Sequence, residues 1–299
     1  MPSLYTHKDR NIRKTWLLFF VFFTVVIGIG FGFSYVYRSP AILYIAVLFS
    51  VLMSITSYWY SDKIVIKMAK AKPVDKKTVP ELYNIVENLS ITAGLPMPKL
   101  FLVEDPSPNA FATGRNPEHS VVAVTSGLLG ILDRSELEGV LAHEMSHIGN
   151  RDMLVSTVAV ILVGFIALLS DMFLRSLFWG GFGGRNRNNA GGIVILLGIA
   201  LAILSPLIAS LMQLAISRKR EFLADASGAL LTRYPEGLAA ALEKILRVSI
   251  PLRAVNNATN HLWFSDPTKG EKKTHWFAKL FMTHPPMEER VARLRNVEV

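Results

Sequence analysis

Four uncharged runs divide the chain. Thr15–Tyr37 and Ser39–Ser61 follow one another with only Arg38 between them. Met153–Ser170 and Gly192–Ile216 form a second pair, separated by a stretch that includes the Gly/Asn-rich, flexible Trp179–Gly192. Each run is close to the ~20 apolar residues that cross a bilayer. The first is too long for the apolar core of a cleaved signal peptide, and a second run follows it at once. The pattern predicts an integral membrane protein with four transmembrane helices. The domains are then a hairpin over 1–61, a soluble part over 62–152, a second membrane pair over 153–216 and a second soluble part over 217–299. Runs three and four could instead form a hairpin that only partly enters the bilayer.

In the soluble parts the apolar residues fall at helical or strand spacing. Val79–Ala93 has Leu82, Ile85, Val86 and Leu89 on one face, Pro80 in its first turn and Gly94 at its C-terminal end, which predicts an amphipathic helix. Lys99–Val103 reads as a short strand. Asn109–Gly114 and Ser120–Val124 read as two strands joined by a turn through 115–119. The run Ser135–Ala142 reads as the start of the helix that carries His143, with Ser135 as its expected N-cap. Arg218–Thr232, Pro235–Val248 and Pro285–Asn296 are expected helices, and 250–280 an expected loop. The expected fold is mainly α with a small β-sheet.

Charge then sets the orientation. The net charge is +9, which is one signature of nucleic-acid binding. Here the basic residues border the apolar runs, so the partner is the lipid bilayer and no nucleic acid is expected. Lys8, Arg10, Arg13 and Lys14 precede the first run, and Lys63, Lys67, Lys70, Lys72, Lys76 and Lys77 follow the second. The positive-inside rule puts both flanks in the cytoplasm. Arg218, Lys219 and Arg220 support the same side for the end of run four, whereas Arg175, Arg185 and Arg187 count against an external loop. Trp16, Tyr35, Tyr37, Tyr58, Trp59 and Tyr60 are expected interfacial anchors.

The candidate chemistry lies in Leu141–Asn150, which reads Leu-Ala-His-Glu-Met-Ser-His-Ile-Gly-Asn. On a helix His143 and His147 share one face, where two imidazoles can hold one Zn²⁺. Glu144 projects near the open coordination position, where it can take the proton of an attacking water. The chain has no cysteine, so disulfides and thiolate ligands are excluded and any zinc is held by histidine and carboxylate. The bland alternative is a surface helix with two solvated histidines. Glu221–Asp225 offers a third ligand: Glu221 and Asp225 are four apart, just after run four. Run three leaves the His143 helix and run four returns to this one, so a spanning pair brings Glu221 back to the same membrane surface. On spacing alone, the stretch also fits a solvated charged face.

Four motifs carry a resemblance: His143-Glu-Met-Ser-His147, Glu221-Phe-Leu-Ala-Asp225, Asn109-Ala-Phe-Ala-Thr-Gly114 and Thr283-His-Pro-Pro286. With the hairpin before them, they resemble the HtpX family of bacterial membrane metalloproteases nearly end to end. The prenyl-protein (CaaX) proteases are similar only in the catalytic core. The resemblance implies a zincin-like domain, one zinc per chain held by His143, His147 and Glu221, and Glu144 as general base and then acid. It implies Asp225, and alternatively Asp152, as carboxylates orienting a ligand histidine. It further implies that His284 stabilises the tetrahedral intermediate, that Arg290 orients His284 or a carboxylate, and that Asn109 donates to the oxyanion. His7, His119, His261 and His275 read as surface residues.

The implied activity is zinc endopeptidase cleavage of polypeptides, chiefly damaged or misfolded membrane proteins. The implied location is the bacterial inner membrane, with the catalytic domain in the cytoplasm. An extended substrate is expected to pair with an exposed sheet edge at Phe111–Gly114 or Val121–Val124. Competing readings are a CaaX-type prenyl-protein protease, an intramembrane protease and a non-catalytic scaffold or sensor with structural zinc. The charges at Arg134, Glu136, Glu138, Arg151 and Asp152 argue for a site at the membrane surface rather than inside it. An intact Glu144 argues against the scaffold, since a structural site has no use for it.

Overall fold

The computed structural model describes residues 4–159, 161–162, 218–248, 250, 263–264 and 285–296. Run four, half of run three, His284, most of the expected loop over 250–280, and His261 and His275 lie outside the described residues.

Helix α1 (Leu4–Tyr37) and helix α2 (Pro40–Trp59) form the N-terminal hairpin. Arg38 turns the chain with φ 50°, and Pro40 starts α2, where its missing N–H leaves nothing unpaired. The helices meet closely at Gly30, where a Cβ would collide with the Ala46 methyl. Close approach at small residues is how helices associate in lipid. Among the described residues two helices are long and apolar enough to cross a membrane, over Asn11–Gly28 and Pro40–Trp59. Leu18, Phe22 and Val26 of α1 pack against Leu154, Val155, Val158, Ala159 and Leu162. Residues 152–159 are helical, so the hairpin is docked on the stretch that follows the metal-motif helix.

A short helix unforeseen in the sequence, α3 (Ser61–Met68), carries the chain from the hairpin into the soluble domain. Helix α4 (Pro80–Ala93) follows the expected pattern: Leu82, Ile85, Val86 and Leu89 are buried, and Gly94 ends it with φ 64°. That left-handed conformation favours glycine. The strands β1 (Lys72–Pro73), β2 (Lys99–Val103), β3 (Ala110–Gly114) and β4 (Ser120–Thr125) form one sheet in the order β1-β2-β4-β3. β3 and β4 are the expected antiparallel pair, and β4 also runs parallel to β2. Val121–Val124 is therefore paired on both sides and offers no edge, which corrects one of the two expected substrate edges. Among the described residues β3 is the edge strand beside it, and all five of its residues are buried.

After α5 (Ser126–Ile131) comes α6 (Arg134–Gly149), the helix of the metal motif. Asp133, rather than Ser135, is its N-cap. The Asp133 carboxylate accepts from Glu136 N at 3.0 Å, and the Glu136 carboxylate accepts from Asp133 N at 2.9 Å. This reciprocal box satisfies two otherwise orphaned amides. Ser135 is exposed and its hydroxyl donates to Asp133 at 2.9 Å. Helices α7 (Arg218–Thr232), α8 (Pro235–Arg247) and α9 (Met287–Arg295) complete the domain. The core joins α4, α6, α8, α9 and one face of the sheet through Leu141, Met145, Ile148, Val122, Val124, Leu242 and Leu294.

Candidate active site

α6 and α7 lie close because Gly228 sits on the backbone of α6, where an added Cβ would be 3.0 Å from His143 N. This approach brings Glu221 and Asp225, about two turns and one turn before Gly228, over the two histidines. His143 Nε2 and His147 Nε2 are 3.1 Å apart. Glu221 Oε2 is 3.8 Å from His143 Nε2, and Oε1 is 3.7 Å from His147 Nε2. The three ligand atoms lie within 4.8 Å of one another.

Each imidazole is held from behind. His143 Nδ1 is 2.9 Å from Asp225 Oδ1, and His147 Nδ1 is 3.4 Å from Asp152 Oδ2. With Nδ1–H turned to a carboxylate, each ring presents Nε2 to the other, and Nε2 is the atom left to bind a metal. The two Nε2 atoms face each other 3.1 Å apart, a separation that either a shared proton or a shared metal cation bridges. Tetrahedral zinc with ligands at ~2.0–2.2 Å asks for ligand–ligand separations of about 3.3 Å. The two nitrogens are 3.1 Å apart, each has a different Glu221 oxygen 3.7–3.8 Å away, slightly wider than a bound ion would require, and two nitrogens with one carboxylate suit zinc's borderline softness.

Asp225 is held by Arg290 of α9, whose Nε donates to Oδ2 at 2.9 Å and Nη2 to Oδ1 at 2.6 Å. Nη2 also lies 3.3 Å from His143 Nδ1, but both nitrogens carry hydrogens, so they share the Asp225 carboxylate rather than bond each other. Arg290 is 0% exposed and its guanidinium lies over the Phe264 ring, 4.7 Å from the centroid. The Phe264 ring in turn stands edge-on to His143 at 5.1 Å. Phe264 N–H donates to Ala110 O at 2.8 Å, which ties this wall to the side of β3 away from β4.

The electrostatics of the two histidines differ. Burial, reinforced by the charge of Arg290, pulls His143 down to about 4 in spite of Asp225. Burial also works against charging His147, but Asp152, Glu221 and Glu144 outweigh it and hold this ring up at about 9. Asp225 is buried as well, which alone would raise its carboxyl, yet Arg290 and His143 hold it down at about 2. It is a permanent anion behind the ring. Glu144 is buried in the same pocket, close enough for its charge to act on both His147 and Arg290.

The structure thus brings together six of the expected residues: His143, Glu144, His147, Glu221, Asp225 and Arg290, with Asp152 behind His147. Asp225 and Asp152 divide the task for which they were alternatives, one to each ring. Arg290 meets a carboxylate, one of its two expected partners. Asn109 is fully buried at the start of β3, with its Oδ1 accepting from Ala110 N at 3.1 Å. His119 is exposed and bonds within its own turn to Asn116. Three residues escaped the sequence. Arg220, part of the orientation-setting basic cluster, is only 6% exposed, with Nη1 3.7 Å from Asp152 Oδ1. Phe264 fell in an expected loop. Asn11, in the first helix, donates to Asp152 Oδ1 at 2.6 Å. No motif marks any of the three.

The family model described as Peptidase family M48 matches residues 76–298. A "Protease HtpX homolog" of Caldanaerobacter subterraneus subsp. tengcongensis is 43% identical, covering 99% of this chain and 99% of its own. Another of that name, from Tropheryma whipplei, is 46% identical, with 98% of each chain covered. Among solved structures, S. mikatae Ste24p matches with TM-score 0.50 at 21% identity, over 84% of this chain and 57% of that one. That last likeness concerns the fold.

Proposed function

This chain belongs to peptidase family M48 as an HtpX-type membrane metalloprotease, and we propose that its metal is one zinc ion held by His143 Nε2, His147 Nε2 and a Glu221 carboxylate oxygen. The observation that carries this reading is the pair of Nε2 atoms 3.1 Å apart, each ring backed by its own carboxylate. Zinc supplies Lewis acidity there, polarising the scissile carbonyl and making water acidic enough to deprotonate. Glu144 takes the proton of the attacking water on its carboxylate and passes it to the nitrogen of the leaving amine. Asp225, clamped by Arg290, fixes the His143 ring. Asp152 fixes His147. Asn109 and His284 are the proposed donors to the oxygen of the tetrahedral intermediate.

The proposed substrates are polypeptides presented at the bilayer surface, with damaged or misfolded membrane proteins as the expected class. β3 is the strand against which an extended segment would lie: β4 occupies one side, and among the described residues Phe264 meets the other side at Ala110. The proposed location is the inner membrane with this domain in the cytoplasm; the apolar hairpin and its basic flanks support that reading. For the orientation, a cysteine introduced at Asn188 should be labelled from outside, since the chain has no other. Labelling from the cytoplasmic side alone contradicts it. For the chemistry, Glu144→Gln should retain zinc and lose cleavage of an unfolded substrate by about 10²–10⁴-fold. Undiminished cleavage removes Glu144 from the mechanism.

A further inference from the structure

We propose that the first transmembrane helix is part of the metal site: Asn11 of α1 holds the Asp152 carboxylate and, through it, the ring of His147. The proposal rests on the reading of His143, His147 and Glu221 as metal ligands.

Asn11, Thr15, Leu18, Phe22 and Val26 form the buried stripe of α1, at the spacing of one helix face. Leu18, Phe22 and Val26 pack on Leu154, Val155 and Val158 and need only an apolar surface opposite them. Asn11, at the end of the stripe nearest the soluble domain, breaks the pattern. It is 3% exposed, and a buried amide costs free energy unless its hydrogens are bonded. Its Nδ2 is bonded twice, to Asp152 Oδ1 at 2.6 Å and to the carbonyl of Asn150 at 3.1 Å. One acceptor lies in the turn after the metal helix and the other is the first residue of the next helical stretch.

The Asp152 carboxylate is planar, so fixing one oxygen fixes the other. Oδ1 faces Asn11 and, at 3.7 Å, Arg220 Nη1, while Oδ2 faces His147 Nδ1 at 3.4 Å. One carboxylate therefore joins three elements: the hairpin through Asn11, the Glu221 helix through Arg220 and the HExxH helix through His147. The other ligand histidine is backed from within the soluble domain, by Asp225 and Arg290. Only His147 depends on a group from the membrane hairpin. Asn11 is thus a positioning residue, and the metal site is complete only when α1 is docked.

The test is zinc affinity of the full-length protein in lipid nanodiscs, measured by competition with a chromogenic chelator. Losing a group behind a metal-binding histidine costs about 10–100-fold in affinity. Asn11→Leu, and Asn11→Ala should the first variant not fold, should weaken zinc binding by about tenfold and shift the visible absorption of the Co²⁺-substituted protein. Phe22→Ala loosens the same helix contact without touching a polar group and should stay within about twofold of the parent. In an Asp152→Ala background, Asn11→Leu should weaken binding no further, because the two act in series. Parental affinity in Asn11→Leu, an equal loss in Phe22→Ala, or an undiminished loss in the Asp152→Ala background would each overturn the proposal. Failure of the parent protein to bind zinc at all would instead strike the ligand assignment.

Discussion

The N-terminal hairpin and helix α6 obey opposite burial rules. In the hairpin many large apolar side chains outside the Leu18–Phe22–Val26 stripe face outward: Trp16 is 68% exposed, Phe20 67% and Tyr44 72%. In α6 the inward residues include Glu136, His143, Glu144 and Ser146, all buried. The difference lies in what surrounds each helix. Lipid accepts apolar side chains as readily as a core does, so the hairpin needs interior packing only along narrow seams such as Gly30–Ala46. The interior of the soluble domain accepts a charge only with a partner. Those partners are present: Lys244 for Glu136 at 2.6 Å, Asp225 for His143, Asp152 for His147 and Arg290 for Asp225.

That contrast can be broken at chosen residues. The largest effect on stability is expected from Arg290→Leu, which leaves the buried Asp225 carboxylate facing His143 without its cation. Removing one partner of a buried pair costs about 3–5 kcal/mol. Denaturant unfolding of the metal-free protein reads it, and a loss below about 1 kcal/mol would mean that the clamp is dispensable. In the hairpin, Phe20→Lys should cost about 3 kcal/mol of insertion free energy, because lipid has no partner for the ammonium. Phe20→Ala should insert as the parent does. A membrane-insertion assay with glycosylation reporters separates the two, and equal insertion of all three would argue that Phe20 does not face lipid. The smallest effect is expected at the start of α6: Asp133→Ala removes the cap and costs about 1 kcal/mol.

What could be read in the sequence follows the same division. His143, His147, Glu221 and Asp225 were legible because helical spacing states which residues share a face. Gly94 and Pro80 were legible for similar local reasons. The Asp133 cap was available too, since Asp133 and Glu136 have capping-box spacing, but Ser135 offered an equally good local signal. Strand order was not available: β4 becomes central through its parallel pairing with β2, and long-range pairing leaves no local trace. Arg220 and Asn11 were hidden for a different reason. A lone basic residue beside an apolar run reads as an orientation signal, and a lone amide at the mouth of a membrane helix reads as an interfacial residue. Their significance comes only from Asp152, which sequence does not place beside them.

The claim on which the rest depends is that α6 and α7 together hold one metal ion. Elemental analysis of the purified, detergent-solubilised protein beside its Glu221→Ala variant addresses it directly. The account predicts one zinc per chain in the parent and less than about a tenth of that in Glu221→Ala after brief chelator treatment and buffer exchange. A Glu221→Ala protein that keeps its full zinc under the same treatment would contradict the account and place the third ligand elsewhere.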